Sequence, residues 1–138
     1  MLNGVDKKYA LSYVSKNNYS KYYSKDAINR YSRILNGDII ELSRDDIKST
    51  GYVVDTLEAC LWSFLNSEGF EDSVVCAVNL GGDTDTIGAI TGSMAGIVYG
   101  KKDIPSRWLV KLKRREYIEE MSKKLVDVLK NNIRNRKR

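Results

Sequence analysis

Residues 79–100 read NLGGDTDTIGAITGSMAGIVYG. Between apolar flanks, positions 81 to 86 hold two glycines, two aspartates and two threonines. No packing need calls for so much hard oxygen chemistry inside a hydrophobic stretch. From Thr86 onward the spacing predicts a helix in which Gly88, Gly92, Gly96 and Gly100 recur every four residues on one face. Each costs up to about 1 kcal/mol relative to alanine in a helix, so the bare face implies close approach of a neighbouring helix or a ligand. Ile87 to Tyr99 falls far short of the roughly 20 apolar residues of a membrane span, which excludes a membrane dimer motif. The helix therefore belongs at the centre of a domain.

Asp83, Asp85 and Thr86 stand at i, i+2 and i+3 at the mouth of that helix. Carboxylates and a hydroxyl of this kind suit Mg2+, Ca2+ or Mn2+ rather than zinc. Without a cation, two adjacent buried carboxylates repel, and one is pushed toward protonation. Gly81 and Gly82 admit backbone geometry closed to other residues and leave room for a ligand. An N-cap role would explain one aspartate and Thr86, but not two aspartates behind a Gly-Gly pair. A calcium EF-hand loop starting at Asp83 fails, because Ile87 and Met94 fall where an oxygen ligand and a glutamate are required. A D-x-D-x-T phosphatase matches Asp83 and Asp85 but meets Ile87 where threonine or valine is expected; it predicts a strand at Val74 to Val78.

Working outward, GYVVDTLEACLWSFLNSEGF at 51–70 predicts a helix with Val54, Leu57, Cys60, Leu61, Phe64 and Leu65 as its apolar stripe. Asp55 and Glu58 have capping-box spacing, and Gly69 sits where a left-handed C-terminal residue belongs. EDSVVCAVNL at 71–80 fits a short helix or a strand equally well. Ala27, Ile28, Tyr31, Ile34 and Leu35 fall at helical spacing after Ser24, with Gly37 as a stop. Pro105 is expected at an N1 position, and a last helix carries Ile118, Met121, Leu125, Val128 and Leu129 on one side. The expectation is an all-α domain of six or so helices, the first of them weakly patterned.

The chain has 138 residues, 42% hydrophobic and 30% charged, which suits one soluble globular domain. It has no histidine, so catalysis must rest on carboxylates, hydroxyls, lysine, tyrosine or a hard metal ion. Cys60 and Cys76 read as two reduced, buried thiols. The N-terminal residues lack the apolar run of a signal peptide, which gives a cytoplasmic expectation with no membrane partner. Residues 101–138 carry 14 basic against 5 acidic residues, +9 net, and leave the first hundred at −4. The expected reading is a solvated helix face and a frayed tail, not a nucleic-acid site.

Together GYVVDTLEACLWSF, NLGGDTDTIGAITGSMAGIVYG and IPSRWLVKLKRREYIEEMSKKL resemble, in order and spacing, the C-terminal half of the ADP-ribosylglycohydrolases, the group containing the dinitrogenase reductase-activating enzyme. The likeness runs from about Ile47 to Leu125 and more loosely back to Ser24. It implies a partial orthogonal helical bundle whose full cleft holds two divalent ions, Mg2+ or Mn2+. By the same resemblance Asp83, Asp85 and Thr86 are metal ligands, the two aspartates being catalytic in that sense. It also implies that Gly51, Tyr52 and Val53 line the ADP-ribose pocket, and Gly81 and Gly82 are expected to bind substrate beside them. The implied reaction is hydrolysis of the glycosidic bond at the distal ribose, which frees ADP-ribose from a protein side chain or small molecule. Metals held by carboxylates orient ribose hydroxyls and activate water.

The family's N-terminal half supplies a Thr/Ser-Asp-Asp motif that this chain lacks: SRDDIK at 43–48 lies directly before the Gly-Tyr-Val block, where an ordinary helix start belongs. The expectation is thus a truncated chain, completed by a second chain or by self-association, with a non-catalytic ADP-ribose-binding or interaction protein as the alternative. The expected layout is a polar, weakly ordered segment at 1–23, the helical domain at 24–130 and a basic tail at 131–138.

Overall fold

The computed structural model describes residues 6 to 136, with side chains as far as residue 132. The first five residues of the expected N-terminal segment, and Lys137 and Arg138 of the expected tail, lie outside the described residues. Eight α-helices are found among the described residues and no strand: α1 Lys7–Ser15, α2 Lys25–Arg30, α3 Ser32–Leu35, α4 Val53–Leu65, α5 Phe70–Val78, α6 Thr84–Tyr99, α7 Ser106–Lys111 and α8 Arg115–Arg136. The all-α expectation holds. The chain divides into two compact units after Ile104.

The first unit is organised around α4, α5 and α6, which pack mutually. Their shared core holds Ala59, Cys60, Phe64, Ala77, Ile87 and Ala95, all essentially inaccessible to water. The glycine face of α6 meets α5: a β-carbon on Gly88 would lie 3.5 Å from Val78 Cγ2, and one on Gly92 3.5 Å from Val74 Cγ2. Gly96 faces the ring of Phe70. Gly100 departs from this pattern; it ends the helix with φ at 75°. The glycines thus bring a helix, rather than a ligand, close to the α6 backbone.

Because 71–80 contributes α5, its ambiguity resolves to helix, and the strand required by the phosphatase reading is absent from Val74 to Val78. The spacing of Asp55 and Glu58 is not a capping box. Tyr52 occupies the N-cap of α4, and Glu58 is a buried mid-helix residue, 4% exposed. Its carboxylate pairs with Arg33 Nη1 of α3 at 3.0 Å. Gly69 does not close α4; Asn66 does, and Gly69 sits in extended backbone at φ −157° as the N-cap of α5. Pro105 falls one position earlier than expected, at the N-cap of α7. The helix expected over 24–35 breaks at Tyr31 into α2 and α3.

The polar stretch before Ser24 carries α1, capped by the Asp6 carboxylate, which accepts from the amides of Lys8 and Tyr9. Lys7 Nζ donates to the Phe64 carbonyl at 3.0 Å and to the Ser67 carbonyl, and meets the Tyr99 hydroxyl at 3.3 Å. This ammonium therefore satisfies carbonyls at the C-terminal end of α4, where a cation is also favoured by the helix dipole. An apolar cavity of about 530 Å3 opens between α1, α2, α3 and α4, with Leu11, Ile34, Leu57, Leu61 and Phe64 in its wall. Leu57 and Leu61 of the expected α4 stripe face this space rather than the tight core.

In the second unit, α8 presents Tyr117, Ile118, Met121, Leu125, Val128 and Leu129 as an apolar stripe about half exposed to water. Its first turns are laced by Arg115–Glu119 and Glu120–Lys124 ion pairs one helical turn apart.

Candidate functional site

Two loop segments, 49–52 and 79–83, meet at the start of α6. Asp83 is the N-cap residue of that helix, yet its side chain makes no capping hydrogen bond. The nearby Asp83 carboxyl is the first cause that holds the Asp85 pKa below the usual carboxylate value. The backbone amides of Thr86 and of Asp85 itself push in the same direction. Asp85 and Thr86 face solvent, and Asp83 is half-buried. Two carboxylates held together at the positive end of a helix form a donor set for a hard cation. Among the described residues, no three of the side chains Asp, Glu and Cys converge as a metal cage. The cluster is therefore a pair of aspartates with Thr86 next in the chain.

The glycines preceding the aspartates shape the approach. Gly82 has φ +64°, and a β-carbon there would lie 2.0 Å from the Ser49 carbonyl oxygen. That same carbonyl accepts the Asp83 amide at 2.9 Å, and the Ser49 hydroxyl donates to the Leu80 carbonyl at 3.2 Å. Gly51 has its bare face on the cluster, since a β-carbon there would stand 3.5 Å from Asp83 Oδ2. Gly81, Gly82, Gly51, Asp83 and Asp85 are thus brought together. Tyr52 and Val53 follow directly at the start of α4, exposed at 48% and 61%. The Tyr52 hydroxyl receives Arg30 Nη1 at 3.3 Å, which steadies the ring at the surface.

Ser49, Thr50 and Asp55 also belong to this region, and sequence reasoning missed them. Asp55 Oδ2 accepts the Thr50 hydroxyl at 2.7 Å. Nothing in the spacing marks Ser49, whose part is played by a backbone carbonyl. Asp45 and Asp46, by contrast, lie in a separate 3-10 turn. Asp46 accepts from the Ser43 amide at 3.3 Å and hydroxyl at 2.8 Å, a local cap consistent with an ordinary helix start.

Cys60 lies beneath α6, fully buried, its thiol 3.5 Å from the Ile87 carbonyl. Burial pushes its pKa up, against an opposing hydrogen bond with Thr91. A thiol so placed is inert. Both cysteines are free, but Cys76, expected to be buried, is only partly so.

The fold and cluster define a helical protein with a hard-oxygen donor pair at the start of its central glycine-faced helix. The sequence model of the ADP-ribosylglycohydrolases matches residues 2–135, and the chain belongs to that family. It is 45% identical over 89 residues to the ADP-ribosylarginine hydrolase Tri1 of Serratia proteamaculans (strain 568), across 64% of this chain and 24% of that relative. The Tri1 protein of Pseudomonas putida (strain GB-1) is 42% identical over 91 residues, across 66% and 24%. The ADP-ribosyl-[dinitrogen reductase] glycohydrolase of Rhodospirillum rubrum is 40% identical over 82 residues, across 59% and 27%. The chain spans about a quarter of the length of the curated relatives it matches. No helix among the described residues is long and apolar enough to cross a membrane.

Proposed function

We propose that this chain carries the Asp-x-Asp-Thr half of a metal-dependent ADP-ribosyl hydrolase site, acting on ADP-ribose attached to a protein or small-molecule acceptor. The observation that carries this reading is the placement of Asp83 and Asp85 at the start of α6, where Asp83 is the N-cap without capping with its side chain and Gly51 lies bare against its Oδ2. Asp83, Asp85 and Thr86 would hold Mg2+ or Mn2+, one of two ions in the full family site. When bound, such an ion supplies a charge that orients ribose hydroxyls and lowers the pKa of a coordinated water.

The chain's own residues do the rest. The bare Gly51 leaves clearance beside Asp83 Oδ2, and the exposed Tyr52 ring offers a stacking surface to base or sugar. The names of the Serratia and Rhodospirillum relatives support ADP-ribose on an acceptor as the substrate class. The half-exposed apolar stripe of α8 supports association with a second chain or a second copy that completes the fold. The two free cysteines suit a reducing, cytoplasmic setting.

That no third carboxylate joins the pair among the described residues favours one competing reading, ADP-ribose binding without turnover. Calorimetric titration of Mn2+ and then ADP-ribose into the chain and into D83A/D85A tests both. Mn2+ uptake lost in the double variant supports the metal site, and absence of uptake in the unaltered chain sinks it. A glycohydrolase assay on ADP-ribosylarginine then separates turnover from binding.

A further inference from the structure

We infer that Asp55 is a positioning residue for the aspartate cluster, acting through Thr50 and the 49–51 strap, and this rests on the reading of Asp83 as a metal donor. Asp55 lies in the first turn of α4, where its carboxylate is favoured by the helix dipole. Its Oδ2 accepts the Thr50 hydroxyl at 2.7 Å, and Thr50 Oγ1 in turn accepts the Tyr52 amide at 3.1 Å. The next residue of α4 holds the same position from the other side, since Thr56 Oγ1 donates to the Thr50 carbonyl at 3.0 Å. Thr50 is thus fixed by side chain and backbone to two consecutive residues of a rigid helix.

Its neighbours in the chain are the two residues that touch the cluster. Ser49 receives the Asp83 amide at 2.9 Å, and Gly51 sets the clearance over Asp83 Oδ2. Thr50 is exposed, so without the Asp55 bond its hydroxyl has water as an equal partner and the strap has one fewer anchor. A carboxylate that touches neither metal nor substrate therefore sets where Asp83 stands. Outer partners that fix a ligating group commonly decide metal affinity as strongly as some ligands do.

The test compares D55A, D55N and T50V in the full chain by amide hydrogen exchange without metal, then by Mn2+ titration followed by electron paramagnetic resonance. The side-chain amide introduced by D55N keeps an oxygen that can accept from Thr50, whereas D55A and T50V break the bond. The expected result is exchange of the Asp83 amide about fivefold faster in D55A and T50V, with the Ala95 amide of α6 unchanged and D55N near the original. Mn2+ affinity should fall about tenfold in the same two variants only. An unmoved Asp83 amide in D55A, a parallel rise at Ala95, or a D55N as impaired as D55A each overturns the assignment. An unaltered chain that takes up no Mn2+ overturns the metal reading instead, and the metal-free exchange comparison still decides the role of Asp55.

Discussion

A β-carbon on Gly82 would lie 2.0 Å from the Ser49 carbonyl oxygen, which is the same atom that accepts the Asp83 amide. Gly82→Ala therefore has to push the 49–51 strap away from the aspartates, in addition to the strain of a side chain at positive φ. The expected cost is about 3 kcal/mol or more. Gly81 also has positive φ but opens onto free space, so Gly81→Ala should cost only about 1–2 kcal/mol. Urea denaturation of the two variants checks the difference, and equal losses would show that Ser49 gives way freely.

Neutralising the aspartates should separate binding from stability. In metal-free buffer D85N is expected to melt slightly lower than the original chain, because the lowered Asp85 pKa marks a charge that the first turn of α6 favours, and D83N should stay close to it. With Mn2+ at a hundredfold over its dissociation constant the original chain should gain about 2.7 kcal/mol, and the variants little. Thermal melts with and without Mn2+ read this directly.

Burial raises the Glu58 pKa above its ordinary value of 4.5, with Arg33 opposing as the next cause. A raised folded-state pKa gives a contribution that is complete below the unfolded value and is lost as pH climbs through the folded one. Stability should therefore fall over the interval just above pH 4.5, and Glu58→Gln should flatten that fall. Denaturation curves collected from acid to neutral pH test it, and identical slopes in the two proteins would assign the proton elsewhere. Arg33→Ala strands the buried carboxylate and should cost about 1–3 kcal/mol at neutral pH.

The α5–α6 contact gives a graded expectation. A β-carbon on Gly92 would meet Val74 Cγ2 at 3.5 Å, an ordinary contact distance. Gly92→Ala should be neutral or stabilising by up to about 1 kcal/mol through helix propensity. Gly92→Val adds branches with no room and should cost about 1–3 kcal/mol. Melting temperatures in that order support the packing, and a severe loss in the alanine variant would mean the helices lie closer together.

Much of the architecture is legible because it is written in local spacing. The stripe of α4, the glycine face of α6 and the Asp-Thr-Asp-Thr cluster each declare themselves within a few turns. The run Ser73 to Val78, all β-branched or small side chains, cannot declare α5, since a short apolar run carries both periods equally. Glu58 misleads for a related reason: its spacing from Asp55 imitates a cap, and only the distant Arg33 reveals a buried pair. Ser49 and Thr50 escape notice, and Asp55 is read only as a cap, because the strap works through a backbone carbonyl and side-chain bonds that no spacing motif marks. The positions around the cluster can be named from sequence, but not the way their geometry is held.

The Lys7 ammonium ties α1 to carbonyls 57 and 60 residues further on and to a hydroxyl 92 residues further on. During synthesis this helix leaves the ribosome well before any of those partners exists. At roughly 5–20 residues per second, Tyr99 follows Lys7 by about 5 to 18 seconds. Through that interval α1 lacks its Lys7 partners, and its own nine residues are too few for a lasting helix in water. Within its unit α1 is therefore fully tied down only after Tyr99 has been made, and its docking records that the rest of the unit is present.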